Sequence, residues 1–152
     1  MHDPETHFIE QLGLVAEEDG MPRIAGRMLG YLMLHAGTHS LDALAEVLQV
    51  SKASVSTNAR LLERMGLIVR TSLPGDRRDF YELPDGQWGG FFAVVKRKLE
   101  RMQGLLGVAA AQVSPAKARR LEEARRFYAF LLEDLDGKIC RWRERRRGDS
   151  EG

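Results

Sequence analysis

Six cationic side chains, Lys52, Arg60, Arg64, Arg70, Arg77 and Arg78, lie between Val50 and Arg78, against only Glu63 and Asp76. Ser56 and Thr57 sit among them. Guanidinium groups pair bidentately with guanine or lie along phosphates, and small hydroxyls let a backbone approach base edges. The chemistry on offer is recognition of duplex DNA, with no bond made or broken. A plainer alternative is a solvated charged face, the usual fate of a run of charges. The elements that carry these residues decide between the two.

Leu41, Leu44, Ala45 and Leu48 fall at i, i+3, i+4 and i+7, the apolar stripe of a short packed helix with Asp42 and Glu46 facing water. Ser40 is placed to cap it, and Ser51 to cap the next helix, which should run from Lys52 to about Met65. On that second helix Val55, Ala59 and Leu62 share one face, while Ala53, Ser56, Thr57, Arg60 and Arg64 project from the other. Gly66 is a helix stop, and the β-branched Ile68, Val69 and Thr71 suit a strand from Leu67. Pro74-Gly75-Asp76 is turn chemistry, Arg77 and Arg78 mark a basic tip, and Phe80, Tyr81 and Leu83 supply the return strand. Helix, turn, helix, strand, basic tip and strand describe a winged helix-turn-helix.

The run from Gly20 to Gly30 (GMPRIAGRMLG), Val50-Ser51-Lys52, Val55-Ser56, Leu62, Gly66-Leu67 and Pro74 to Tyr81 (PGDRRDFY) resembles the MarR superfamily. More narrowly it is similar to the branch typified by the glycine betaine synthesis repressor GbsR. The resemblance implies a homodimeric cytoplasmic transcription factor, often a repressor, whose DNA affinity responds to a small molecule. It implies Lys52, Ser54, Ser56, Thr57 and Arg60 in or beside the major groove, Arg77 and Arg78 as the wing contact, and Asp76 bracing an arginine. Two positions depart from the pattern. Gln49 stands where such turns commonly carry Gly, and a left-handed residue there costs about 1–2 kcal/mol without Gly. Ala53-Ser54 replaces Gly-Asn, so the operator sequence does not transfer.

Around this module the chain reads as helical. His7 to Ala16 presents Phe8, Leu12 and Val15 on one side, and Pro22 opens a helix carrying Ile24, Met28, Tyr31 and Leu32. Arg23 and Arg27 on it suit a phosphate contact or a structural salt bridge. Beyond the wing, Trp88, Phe92, Val95, Leu99, Met102, Leu106, Ala109 and Val113 keep a heptad register. Pro115 breaks that helix and starts another, with Leu121, Ala124, Tyr128, Leu131, Leu135, Ile139 and Trp142 as its seam. The predicted fold class is mainly α with a small β-hairpin: a winged helix-turn-helix plus a long C-terminal helical hairpin for dimerisation. Its expected divisions are 1–19 as an N-terminal helix packing on the dimer scaffold, 20–83 as the DNA-binding lobe, 84–147 as the helical dimerisation lobe and 148–152 as a disordered tail. Two-fold symmetry then predicts a near-palindromic operator with recognition helices about 34 Å apart.

Trp88, Phe91, Phe92, Tyr128 and Phe130 could cage a quaternary ammonium effector by cation–π attraction, with core packing as the plainer role. Cys140 is solitary, which forbids an intramolecular disulfide and suits a reducing cytoplasm; Arg141 and Arg143 beside it could lower its pKa. His35 and His39 have i, i+4 spacing, but Gly37-Thr38 ends a helix between them and no acidic or Cys ligand joins them, so no metal is expected. No cofactor is implied, and no phosphate-cradling Gly loop, nucleophile elbow or paired-acid motif argues for an enzyme. A net charge of +1 excludes a generally basic polyanion binder and leaves a local basic surface. Apolar runs such as Met28 to Leu34 fall short of a bilayer, so the expectation is a soluble cytoplasmic protein. The competing function class is a winged-helix protein-interaction module whose arginines meet an acidic partner.

Overall fold

Residues 3–152 are described by a computed structural model. Helix α1 (Pro4–Glu18) begins where Asp3 accepts the Thr6 N–H at 3.2 Å, with Pro4 in the first turn where a missing N–H costs nothing. Gly20, with φ +79°, turns the chain back into α2 (Arg23–Leu34). The two helices cross at glycines. A Cβ on Gly26 would strike the Leu12 carbonyl and lie 2.7 Å from Ala16 Cβ and 2.8 Å from Gly13 Cα. Helix α1 packs on α2, because paired glycines let the two backbones approach more closely than larger side chains would.

Strand β1 (His39–Ser40) precedes α3 (Leu41–Leu48), then come α4 (Lys52–Arg64), β2 (Val69–Thr71) and β3 (Phe80–Glu82). The expected hairpin is thus a three-stranded antiparallel sheet in the order β1-β3-β2, with Ser40 opposite Phe80 and Thr71 opposite Phe80 on the other side. Below it Ala25, Met28, Leu32, Leu44, Leu48, Val55, Ala59, Leu62, Ile68 and Tyr81 form the core, and the predicted stripes of α3 and α4 point into it. The chain divides into two compact units, Met1–Trp88 and Gly89–Gly152. Just before the division, Gln87 Nε2 donates to the Gly66 carbonyl at 2.7 Å and ties this segment to the helix-turn-helix.

The second unit holds most of α5 (Gln87–Ala110), then α6 (Pro115–Leu132) and α7 (Leu135–Glu151). The helix predicted to run on from Pro115 is interrupted: Glu133 is extended, and Asp134 is left-handed at φ +61°, a region Asp tolerates better than most residues. Asp134 also accepts a hydrogen bond from Arg141 at 3.0 Å, which holds the turn. After the break Leu135 and Ile139 are buried, whereas α6 buries no residue fully. The tail expected to be disordered from residue 148 is helical to Glu151, with Ser150 Oγ donating to the Arg146 carbonyl at 3.0 Å. No helix of the described residues is long and apolar enough to cross a membrane.

Candidate nucleic-acid interface

The turn between α3 and α4 sets the presentation of α4. Gln49 occupies the left-handed region at φ +57°, ψ +46°, as its position demands, and its Nε2 donates to the Glu46 carbonyl at 2.6 Å. Ser40 Oγ accepts the Ala43 N–H at 3.1 Å, and Ser51 Oγ accepts the Ser54 N–H at 3.1 Å, so both predicted caps form. Ser51 also donates to Ser54 Oγ at 3.0 Å, which places the Ser54 hydroxyl in the cap.

With Val55, Ala59 and Leu62 fully buried, the opposite face of α4 is fixed outward. Lys52, Thr57, Arg60 and Arg64 are exposed there and Ser56 is half-exposed. Arg60 lies back along the helix, its Nη2 donating to Ser56 Oγ at 2.7 Å and its Nε to the Ser56 carbonyl at 3.4 Å. Lys52 Nζ is 3.1 Å from Asp42 Oδ1, so this cation has an internal counter-charge. Arg64 makes no ion pair among the described residues. Sequence reasoning missed Asn58, which is buried on the core side; its Nδ2 donates to the Ser54 carbonyl at 2.8 Å, while Oδ1 finds no partner among the described residues. Its place between Val55 and Leu62 was the available signal.

At the wing, Gly75 takes φ +77° and the Asp76 N–H donates to the Leu73 carbonyl at 3.0 Å. Asp76 then receives Arg78 from three donors: the backbone N–H at 2.9 Å, Nε at 3.0 Å and Nη2 at 2.7 Å. These bonds, the side-chain ones foremost and the backbone one next, hold the Asp76 carboxyl down at about 2. The Arg78 guanidinium also lies over the Phe80 ring, 5.3 Å from its centroid. Arg77 is exposed and without an ion pair among the described residues. Arg70 stands between Glu63 at 3.7 Å and Asp79 at 4.0 Å, so it adds little net charge to the surface.

The remaining sequence candidates are placed as follows. Arg23 pairs with Glu17 and Arg27 with Glu10, both at 2.8 Å, and Arg27 Nη2 also donates to the Leu48 carbonyl at 3.0 Å, so each has an internal counter-charge. His39 Nε2 meets the His35 carbonyl at 2.9 Å, and both rings pack on Tyr31. No cluster of three or more His, Cys, Asp or Glu able to hold a metal occurs among the described residues. Trp88, Phe91 and Phe92 belong to α5, and the Phe91 and Phe92 rings lie 6.5 Å apart. Tyr128 and Phe130 belong to α6; Tyr128 packs edge-on against Phe127, and Phe130 is 68% exposed. Cys140 is exposed on α7.

An exposed helix of hydroxyls and arginines beside an arginine-tipped hairpin is the surface a winged helix offers to a duplex. Comparison with known proteins agrees. Residues 19–79 match the model of the MarR family, and residues 86–145 match that of the MmpR5-like MarR family transcriptional regulators. The HTH-type transcriptional regulator MmpR5 of Mycobacterium tuberculosis is 32% identical over 142 residues, covering 91% of this chain and 86% of its own. A crystal structure described as that of a transcriptional regulator superposes with a TM-score of 0.86 at 30% identity, over 93% of this chain and 99% of its own. The family and these relatives are transcriptional regulators, not enzymes. With its winged-helix geometry and these likenesses together, the chain belongs to the MarR family of DNA-binding transcriptional regulators.

Proposed function

We propose that this chain is a homodimeric cytoplasmic repressor that reads a near-palindromic operator and responds to a small molecule. The observation that carries the dimer is the apolar surface of the helical unit: Leu105 and Val108 are each 61% exposed, Phe127 57% and Phe130 68%. Large apolar side chains left this exposed support an interaction surface on this unit. In this reading residues 84–147 are the dimerisation lobe, and two-fold symmetry spaces two copies of α4 about 34 Å apart, one turn of DNA. Arg60, Arg64, Ser56 and Thr57 meet base edges, with Ser54 at the groove margin. Lys52 exchanges Asp42 for a phosphate, and Arg77 and Arg78, braced by Asp76, follow the backbone at the wing.

The experiment is binding of the chain to duplex from its own promoter region and to a random duplex, across salt concentrations. Arg60→Ala should relax base preference, at about 1–3 kcal/mol for the lost pair, while Arg77→Ala weakens all sequences evenly. If the wild type does not prefer its promoter, the repressor reading fails. Sedimentation showing a monomer at micromolar concentration removes the dimer.

For the effector we propose a quaternary ammonium compound held among Trp88, Phe91, Phe92, Tyr128 and Phe130. Its support is the aromatic content of α5 and α6 and the sequence resemblance to the GbsR branch; the relative found by comparison bears the MmpR5 name. Calorimetry with choline and with glycine betaine tests it. Absence of both heat and a thermal shift removes this effector and leaves the DNA reading intact.

A further inference from the structure

Charge is split unevenly between the two units, and against the direction that DNA binding suggests. Residues 1–88 carry eight Lys and Arg against thirteen Asp and Glu, a net of −5; residues 89–152 carry fifteen against nine, a net of +6. The excess of positive charge thus lies in the unit without the helix-turn-helix.

Among the described residues, three of these fifteen cations are ion-paired, and the densest run of the other twelve lies at the end of α7. In the helical unit Lys96 meets Asp136 and Glu100, Arg125 meets Glu122, and Arg141 meets Asp134. Arg143, Arg145, Arg146 and Arg147 make no ion pair among the described residues, although Glu144 stands inside their run. Because α7 stays helical to Glu151, Arg143 and Arg147 at i and i+4 share a face, about 6 Å apart along the axis, with Arg146 beside them and Arg145 on another side. Four like charges within about one and a half turns of helix repel one another and draw anions to that end of α7. The acidic helix α1 of a second copy is the weaker candidate, since Arg27 holds Glu10, Arg23 holds Glu17 and the cap holds Asp3, which leaves Glu5 and Glu18 against four arginines. A polyanion whose charges recur every few ångströms is the better fit, and the chain already binds one.

We propose that Arg143, Arg145, Arg146 and Arg147 form a second contact with DNA phosphates, indifferent to sequence and additional to the contacts of α4 and the wing. The inference rests on the DNA-binding reading and extends it.

The test is the full-length variant with all four arginines changed to Gln, titrated by fluorescence anisotropy against promoter and random duplexes of equal length between 50 and 200 mM KCl. Losing two to four phosphate contacts makes the slope of log K against log salt shallower by about 1.8 to 3.6 per protomer, each contact being worth about 3.5-fold over that fourfold salt range. The ratio of promoter to random affinity should stay unchanged, because phosphate contacts carry no base information. A slope within about 0.5 of wild type, in a variant with unaltered circular dichroism, overturns the proposal. So does loss of the dimer with an unaltered slope, which would assign the arginines to a contact between chains. If the quadruple variant does not fold, Arg143→Gln with Arg147→Gln, both exposed and on one face, should give about half the change; an unaltered slope there overturns it equally. Failure of the wild type to prefer its promoter would sink the repressor reading instead, whereas the slope on random duplex bears on these arginines alone.

Discussion

Gly26→Ala is the sharpest stability test of the α1–α2 contact. The added methyl would meet the Leu12 carbonyl oxygen and would lie 2.7 Å from Ala16 Cβ and 2.8 Å from Gly13 Cα. Carbon atoms in contact normally sit about 3.5–4.0 Å apart, so the helices must part by about 1 Å. Backbone atoms cannot rotate away, which puts the cost in the upper part of the overpacking range, about 2–3 kcal/mol. Alanine returns about 1 kcal/mol through its better helix propensity. The net loss is about 1–2 kcal/mol, or a fall in Tm of about 2–8 °C for a chain of this size. Urea unfolding followed by circular dichroism should show a lower midpoint with an unchanged slope. The control is Gly148→Ala on α7, where a Cβ meets nothing within 4 Å and the change should be neutral or slightly stabilising. If Gly26→Ala behaves like the control, the backbone approach of α1 to α2 is wrong.

Two further outcomes concern the DNA-reading surface. Asp76, held at about 2 against an ordinary 3.8, stabilises the wing fully above about pH 3.8 and loses that contribution as pH falls through 2. DNA affinity between pH 5 and 8 should therefore carry no Asp76 titration, and NMR of its carboxyl carbon should find a midpoint near 2 that rises in Arg78→Ala; an unshifted midpoint in that variant breaks the clamp assignment. At Gln49, Gly would relieve left-handed strain but lose the Nε2 bond and add backbone freedom, so Gln49→Gly should change stability by less than about 1 kcal/mol. Gln49→Val, β-branched in that region, should lose about 1–2 kcal/mol in the same denaturation assay, and a neutral result would contradict the turn geometry.

What the sequence disclosed was mostly local chemistry. Ser40, Ser51, Gly66 and the Pro74-Gly75-Asp76 turn act over two to four residues, and each does what its type predicts. The left-handed turn at Gln49 was legible only through the resemblance, which puts Gly there, and the buried stripes of α3 and α4 from their period. Features depending on distant partners were not. Strand β1 is two residues long and exists because β3, forty residues on, offers an edge. The heptad pattern runs through Asp134 without interruption, since one left-handed residue does not disturb the spacing of the apolar positions around it. At the candidate interface the exposed face was legible, but its internal pairings were not. Lys52 with Asp42 and Arg60 with Ser56 arise from side-chain reach, which no periodicity reports.

The two arginines of the wing tip, adjacent in sequence, differ in freedom. Arg78 is pinned by Asp76 and by the Phe80 ring, so most of its rotamer entropy is gone before any duplex arrives. Arg77 has no such restraint, so the proposed contact would have to order it. One side chain thus behaves as a fixed peg and its neighbour as a flexible feeler. In the wing contact proposed above, the peg would hold register on one phosphate while the feeler follows the local width of the groove.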